Sequence, residues 1–78
     1  MNTFTIPLAP DRFDAARQKL LAEGYNIAGD QGDIVSTEYH VTLGYDYNGA
    51  DTLTITVKQK PFALPEYVLE QKVRTWFA

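Results

Sequence analysis

The sequence predicts an α+β fold, a two-layer sandwich in which a mostly antiparallel sheet of four or five strands carries two helices packed on one face. Apolar and polar residues alternate with a period of two along several stretches, while two other stretches place apolar residues at helical spacing. Turn-forming residues separate these stretches. Because 78 residues can bury only one small core, residues 1–78 are expected to form a single domain with the order β-α-β-(β)-β-β-α.

The first strand and the first helix are indicated by a change of period. Residues 2–6 alternate, with Phe4 and Ile6 on one face, and Pro7 ends the strand. Pro10 suits the first position of a helix because its missing N–H needs no partner there, and Gly24 is expected to end that helix. The apolar stripe of this helix consists of Phe13, Ala16 and Leu20.

The middle of the chain predicts further strands. Residues 25–28 are expected to form a short strand, a turn follows at 29–33, and a brief strand lies around Ile34 and Val35. If the first two strands are neighbours, the helix between them makes them parallel.

The clearest signal predicts a hairpin whose odd-numbered side chains point inward. The inward set from 39 to 57 is Tyr39, Val41, Leu43, Tyr45, Tyr47, Leu53, Ile55 and Val57. Paired residues must then have the same parity, which requires a loop of three or five residues or a bulge. After the hairpin, Pro65 is expected to open a second helix. Its apolar stripe consists of Leu69, Val73, Trp76 and Phe77.

The charge and hydropathy of the chain exclude several kinds of partner. Ten acidic residues outnumber seven basic ones, giving a net charge of −3 and a pI near 4.8, and the densest basic cluster is only Lys58 with Lys60. Nucleic acid is therefore not an expected partner. No stretch resembles a signal peptide or a membrane span, so we expect a cytoplasmic protein that does not bind membranes.

Metal ions and cofactors are not expected. The chain has no Cys and one His, which removes thiolate and multi-histidine sites. Residues 46–51 space three oxygen-bearing side chains about Gly49, as part of a calcium loop does, but they lack the terminal Glu of that loop. Asn, Asp and Gly are also the residues that tight turns favour, so we interpret this segment as a turn.

An enzymatic role would have to centre on His40. Glu38 is expected two residues away on the same strand face, which would allow an acid–base pair of the kind used by a small hydrolase or nuclease. The sequence has no recognisable nucleophile motif, and a solvated His beside a solvated Glu is ordinary on a strand. No catalytic residues are therefore expected.

The surplus of aromatic residues favours a non-enzymatic interaction module that binds a protein partner or itself. Tyrosine at the rim of a surface is a common anchor, and apolar residues after the hairpin exceed what one small core needs. The expected binding residues are Tyr39, Tyr45, Tyr47, Phe62, Leu64 and Tyr67.

The alternative is a binder of a small ligand or a glycan on the outer face of the sheet. Even-numbered positions of the hairpin place polar residues on that face, although threonine is also simply favoured on solvated strands. The expected surface contains His40, Thr42, Thr54 and Thr56.

Overall fold

A computed structural model describes residues 2–77, with Asn2 described by its backbone alone. The elements along the chain are β1 (Asn2–Pro7), α1 (Pro10–Ala22), β2 (Gln31–Ser36), β3 (Val41–Tyr47), β4 (Thr52–Gln59) and α2 (Glu66–Trp76). This β-α-β-β-β-α order is the four-stranded form of the predicted α+β sandwich. Gly24 ends the first helical region with a positive φ of 96°, as predicted.

The strands form one sheet in the order β1-β4-β3-β2, and every neighbouring pair is antiparallel. β1 lies beside β4, with Phe4 opposite Ile55, so β1 and β2 occupy opposite edges. The parallel pair that would follow from adjacent first strands therefore does not form. Helix α1 instead connects one edge of the sheet to the other.

The strand predicted at residues 25–28 is absent, because this stretch is irregular. Burial nevertheless alternates along it as in a strand, because Tyr25 and Ile27 pack against the core while Asn26 and Ala28 are exposed. The Tyr45 hydroxyl donates to the carbonyl of Ala28 at 2.6 Å and accepts from the N–H of Ala28 at 3.1 Å, which satisfies backbone groups that a strand would pair. The second strand is instead β2, which extends the brief strand predicted around Ile34 and Val35.

The register of β3 and β4 confirms the predicted parity. Tyr47 pairs with Leu53, Leu43 pairs with Val57, and the loop closed by the first of these pairs spans residues 48–52, an odd number. Beyond Leu43 the register shifts, since Thr42 pairs with Gln59. Lys58 is thus the extra residue of a bulge.

Both helices cover the face of the sheet to which the inward residues point. The ring of Phe13 in α1 stacks on Tyr47 with the ring centroids 4.3 Å apart, and it lies 6.5 Å from the ring of Phe77 at the end of α2. The buried residues of the two helices are Phe13, Ala16 and Leu20 in α1 and Leu69 and Val73 in α2. The helix stripes predicted from the sequence are therefore the ones that pack, with Trp76 half-buried against Tyr25.

The buried Tyr47 also links the sheet to the start of α1. Its hydroxyl donates to the carbonyl of Leu8 at 2.7 Å. Burial raises the pKa of Tyr47 above its ordinary value, and the nearby carboxylates of Asp51, Asp30 and Asp11 raise it further.

Replacing an inward residue should cost far more stability than replacing an outward one. Leu43 is 1% exposed, so Leu43→Ala should lower the free energy of unfolding by about 2–5 kcal/mol. Thr54→Ala, on the outer face of the neighbouring strand, should cost well under about 1 kcal/mol. Urea denaturation of the two variants checks this, and comparable losses would contradict the assignment of the buried and exposed faces.

Tyr47 should make the fold sensitive to alkaline pH. A folded pKa above the unfolded value means that the contribution of Tyr47 to stability is complete below about pH 10 and is lost as the pH rises through the folded pKa. Tyr47→Phe should therefore lose less stability than the wild type between about pH 8 and pH 11 in urea denaturation. The exposed Tyr67→Phe is the control and should follow the wild type; identical losses in all three proteins would contradict the expectation.

Candidate functional site

Residues 60–68, which we name the crossover segment, lead from the end of β4 into the first turn of α2 and carry the most exposed aromatic side chains. Phe62 is fully exposed, and Tyr67 is 69% exposed. Val68, whose position just off the apolar stripe of α2 marks it as surplus apolar surface, is 40% exposed. Solvent-exposed aromatic and aliphatic groups concentrated in one short segment are typical of an interaction surface.

The turn that presents Phe62 is held on both sides. The N–H of Leu64 donates to the carbonyl of Pro61 at 3.1 Å, and the Lys60 ammonium donates to the carbonyl of Leu64 at 3.0 Å. Leu64 is half-buried and packs against the core, and Pro61 restricts the backbone before Phe62. The Phe62 ring therefore projects into solvent from an anchored turn.

Tyr39 contributes less surface than its place in the predicted set suggests. It lies in the turn before β3, is half-buried and packs against the core. The Lys72 ammonium of α2 lies 4.7 Å from the centre of its ring, a cation–π contact. Interaction with Tyr39 raises the pKa of Lys72 above its ordinary value, with a smaller contribution from the charge of Glu38.

Tyr45 and Tyr47 are corrections to the predicted binding residues, because both are buried in the core. They occupy inward positions of β3, and their hydroxyls bind the main-chain carbonyls of Ala28 and Leu8. A buried tyrosine needs such a partner for its hydroxyl, and here the protein itself supplies it. Neither ring is available to a partner in this fold.

His40 and Glu38 do not share a strand face, because β3 begins at Val41 and residues 37–40 form a turn. His40 has a positive φ of 56° and is exposed. The turn is held by the buried Ser36, whose hydroxyl accepts from the N–H of Tyr39 at 3.3 Å. The arrangement expected for an acid–base pair on one strand is therefore absent.

The outer face of the sheet, which we name the open face, contains a depression of about 440 Å³ over Gly44. Thr54 and Thr56 lie on this face and are half-buried, as is Thr42 farther along β3. The Lys58 side chain crosses over Gly44 and its ammonium lies 2.7 Å from a carboxylate oxygen of Asp33. The depression is further lined by Gln31, Gly32, Asp33, Tyr45 and Asp46.

The turn between β3 and β4 uses its polar groups internally. The side-chain oxygen of Asn48 accepts from the N–H groups of Ala50, Asp51 and Thr52 at 2.9, 3.0 and 3.1 Å. Hydrogen bonds from Asn48 and Thr52 lower the pKa of Asp51 below its ordinary value. Across residues 2–77, no group of three or more His, Cys, Asp or Glu side chains is placed to hold a metal ion. In the same range, neither helix has the length and apolar character needed to cross a bilayer.

Gly44 should be the residue that lets Lys58 reach Asp33. A Cβ at this position would lie 2.9 Å from Cε of Lys58, so Gly44→Ala should displace the lysine and break the ion pair. Lys58→Ala should then lower stability by up to about 1 kcal/mol in the wild type and by almost nothing in Gly44→Ala, since exposed ion pairs contribute this little. A double-mutant cycle measured by urea denaturation checks this, and an equal effect of Lys58→Ala in both backgrounds would contradict it.

Comparison of the chain with models of known protein families, with curated proteins and with solved structures finds no match in any of the three. The functional assignment therefore depends on the geometry of the chain itself.

Proposed function

We propose that the chain is a small non-enzymatic interaction module that binds another protein through the crossover segment, with Phe62 as the anchor. The observation that carries this proposal is the full exposure of the Phe62 ring on an anchored turn. Burying a phenylalanine side chain in a partner contributes about 1.5–3 kcal/mol, and the largest contributions at interfaces usually come from a few such residues.

The anchored turn supports binding because it lowers the entropic cost of association. Hydrogen bonds on both sides of Phe62 already restrain the backbone between Pro61 and Leu64. Ordering a flexible loop on binding would oppose association, whereas a turn that is already held loses little freedom. Phe62 is thus exposed on a backbone whose conformation is already restrained.

The composition of the crossover segment indicates the chemistry of the partner. Tyr67 and Val68 are exposed apolar residues of the same segment as Phe62, and Lys60 and Glu66 are its charged residues. A central apolar anchor with a polar rim is the usual composition of a protein–protein interface. The matching surface is a protein pocket lined by apolar side chains. The net charge of −3 favours a protein over nucleic acid as the partner.

A second candidate function is the binding of a small polyol or glycan on the open face. The observation that favours it is the depression over Gly44, whose carboxylate, amide and hydroxyl groups can bind the hydroxyls of a sugar. The exposed aromatic groups lie instead in the crossover segment, and the protein-binding proposal accounts for them. A ligand on the open face would leave contacts made by Phe62 unchanged.

Photo-crosslinking from position 62 tests the protein-binding proposal. Phe62 is replaced by a benzophenone-bearing phenylalanine analogue in cells of the native host, and the matched controls carry the analogue in place of Leu21 or Val35, which are 48% and 55% exposed on other surfaces. We expect a discrete conjugate from position 62 that neither control produces. The conjugated partner is then identified and purified for a binding measurement.

Phe62→Ala should weaken binding to that purified partner by about tenfold or more, since an anchor residue contributes at least 1.4 kcal/mol. Its free energy of unfolding should stay within about 0.5 kcal/mol of the wild type, because the ring is fully exposed. Isothermal titration calorimetry and urea denaturation measure the two quantities. Identical conjugates from positions 62, 21 and 35, or unchanged affinity in Phe62→Ala, would overturn the proposal.

A further inference from the structure

β1 is an edge strand with one unoccupied side. It pairs with β4, and among residues 2–77 no strand lies on its other side. Half of its backbone N–H and C=O groups therefore point away from the sheet. Such a row of unpaired groups is a template for another strand, and proteins usually protect it with charges, bulges or a covering segment.

The two edges of this sheet differ in their protection. β1 has the sequence NTFTIP, which contains no charged residue, and its one disruptive residue is Pro7 at the end. β2 carries Asp33, whose carboxylate is paired with Lys58, and it contains Gly32, which weakens a strand. β1 is therefore the edge better suited to accept another strand.

We propose that β1 pairs antiparallel with β1 of a second copy of this chain, joining the two sheets into one continuous sheet. A two-fold axis makes such pairing self-complementary, because the same strand supplies both sides. This interface is separate from the crossover segment, and it stands or falls independently of the function proposed for Phe62.

The register follows from the composition of β1. Pro7 lacks an N–H, so the pairing stretch is residues 2–6, and its midpoint is Phe4. An axis through Phe4 places Thr3 opposite Thr5 of the partner subunit. Paired residues then have the same parity, which keeps the inward and outward faces of the two sheets aligned.

The side chains around β1 are compatible with this arrangement. Phe4 is half-buried on the inward face, and pairing would bring the two Phe4 rings together at the axis and cover their exposed parts. Thr3 and Thr5 are exposed, and both copies would contribute them to one continuous open face. These contacts add side-chain burial to the backbone hydrogen bonds of the new ladder.

The charged groups around β1 are of both signs and do not oppose pairing, since Arg12 and Asp51 both line the cavity beside Ile6 and Pro7. The Arg74 guanidinium lies 5.3 Å from the centre of the Phe4 ring, and its Nε donates to a carboxylate oxygen of Glu70 at 2.9 Å. Each copy therefore brings charges of both signs to the region around β1. A second copy is the occupant favoured here, because an uncharged strand facing itself creates no repulsion and no mismatch of faces.

Engineered cysteines test the register, since the wild-type chain contains no Cys. Mixing Thr3→Cys with Thr5→Cys under mild oxidation should produce a disulfide-linked dimer of the two different variants, whereas each variant alone should give far less. A mixture of Thr54→Cys and Thr56→Cys, on the same face but in a central strand, is the matched control and should remain monomeric. Equal crosslinking of Thr3→Cys alone, or of the control pair, would overturn the proposed interface.

Sedimentation of the unmodified protein tests the assembly itself. The wild type should change from monomer to dimer between about 10 µM and 1 mM, a range that corresponds to weak association. Thr3→Lys/Thr5→Lys should raise the dissociation constant of the dimer by about tenfold or more, because it places like charges opposite each other across the axis. Val35→Lys on the other edge and Phe62→Ala should leave this constant unchanged.

A wild-type protein that stays monomeric throughout that range would overturn the inference, as would an unchanged dimer in the lysine variant. If an extended segment of a different protein occupied β1 instead, the lysine variant would lose that partner while the wild type sedimented as a monomer. Because Phe62→Ala should affect the crosslinked partner but not the dimer, failure of either proposal is distinguishable from failure of the other.

Discussion

The two-layer architecture follows from the alternation of side chains in the two central strands. Leu43 and Leu53 point to one face together with the other odd-numbered strand residues between 41 and 57, and up to the bulge at Lys58 the register keeps equal parities opposite each other. One face of the sheet is therefore continuously apolar and must be covered, which both helices do. Among residues 2–77 no helix covers the other face, which leaves the depression over Gly44 accessible.

Two tyrosines of β3 hold irregular parts of the chain in place through their hydroxyl groups. Tyr45 binds the backbone of Ala28, and Tyr47 binds the carbonyl of Leu8, in both cases through the phenolic hydroxyl. Each buried hydroxyl obtains a partner, and each connecting segment gains a fixed point. The hydrogen bonds between Tyr45 and Ala28 explain how the stretch before β2 keeps a defined position without sheet pairing. They also explain why tyrosines that look like surface anchors belong to the core.

The surfaces that remain differ in their physical character. Phe62 offers an apolar anchor on a held turn, the depression over Gly44 offers charged and polar groups, and β1 offers unpaired backbone groups. Apolar anchors suit a pocket in another protein, and an uncharged edge suits a second strand. The first and the last surface lie on different elements, so the two proposed interactions do not compete for the same residues.

The periodicities can be predicted from the amino-acid sequence: the strands of the hairpin and their parity, both helix stripes, and the ends set by Pro10 and Gly24. These features depend on neighbours within a few residues, which is why a local pattern predicts them. The pairing of β1 with β4 could not be predicted in this way. That pairing depends on the fit between segments far apart in the chain, which no local pattern records.

The same distinction applies to the candidate site. The sequence pointed to the aromatic residues between the hairpin and the second helix, and Phe62 and Tyr67 are indeed exposed there. The parity of the hairpin already placed Tyr45 and Tyr47 inward, but only the structure shows that they are buried in the core rather than left at its rim. The turn that contains His40 likewise depends on the tertiary structure, because it connects Ser36 at the end of β2 to Val41 at the start of β3. The sequence shows which residue types could bind a partner, and long-range packing determines which of them are exposed to solvent.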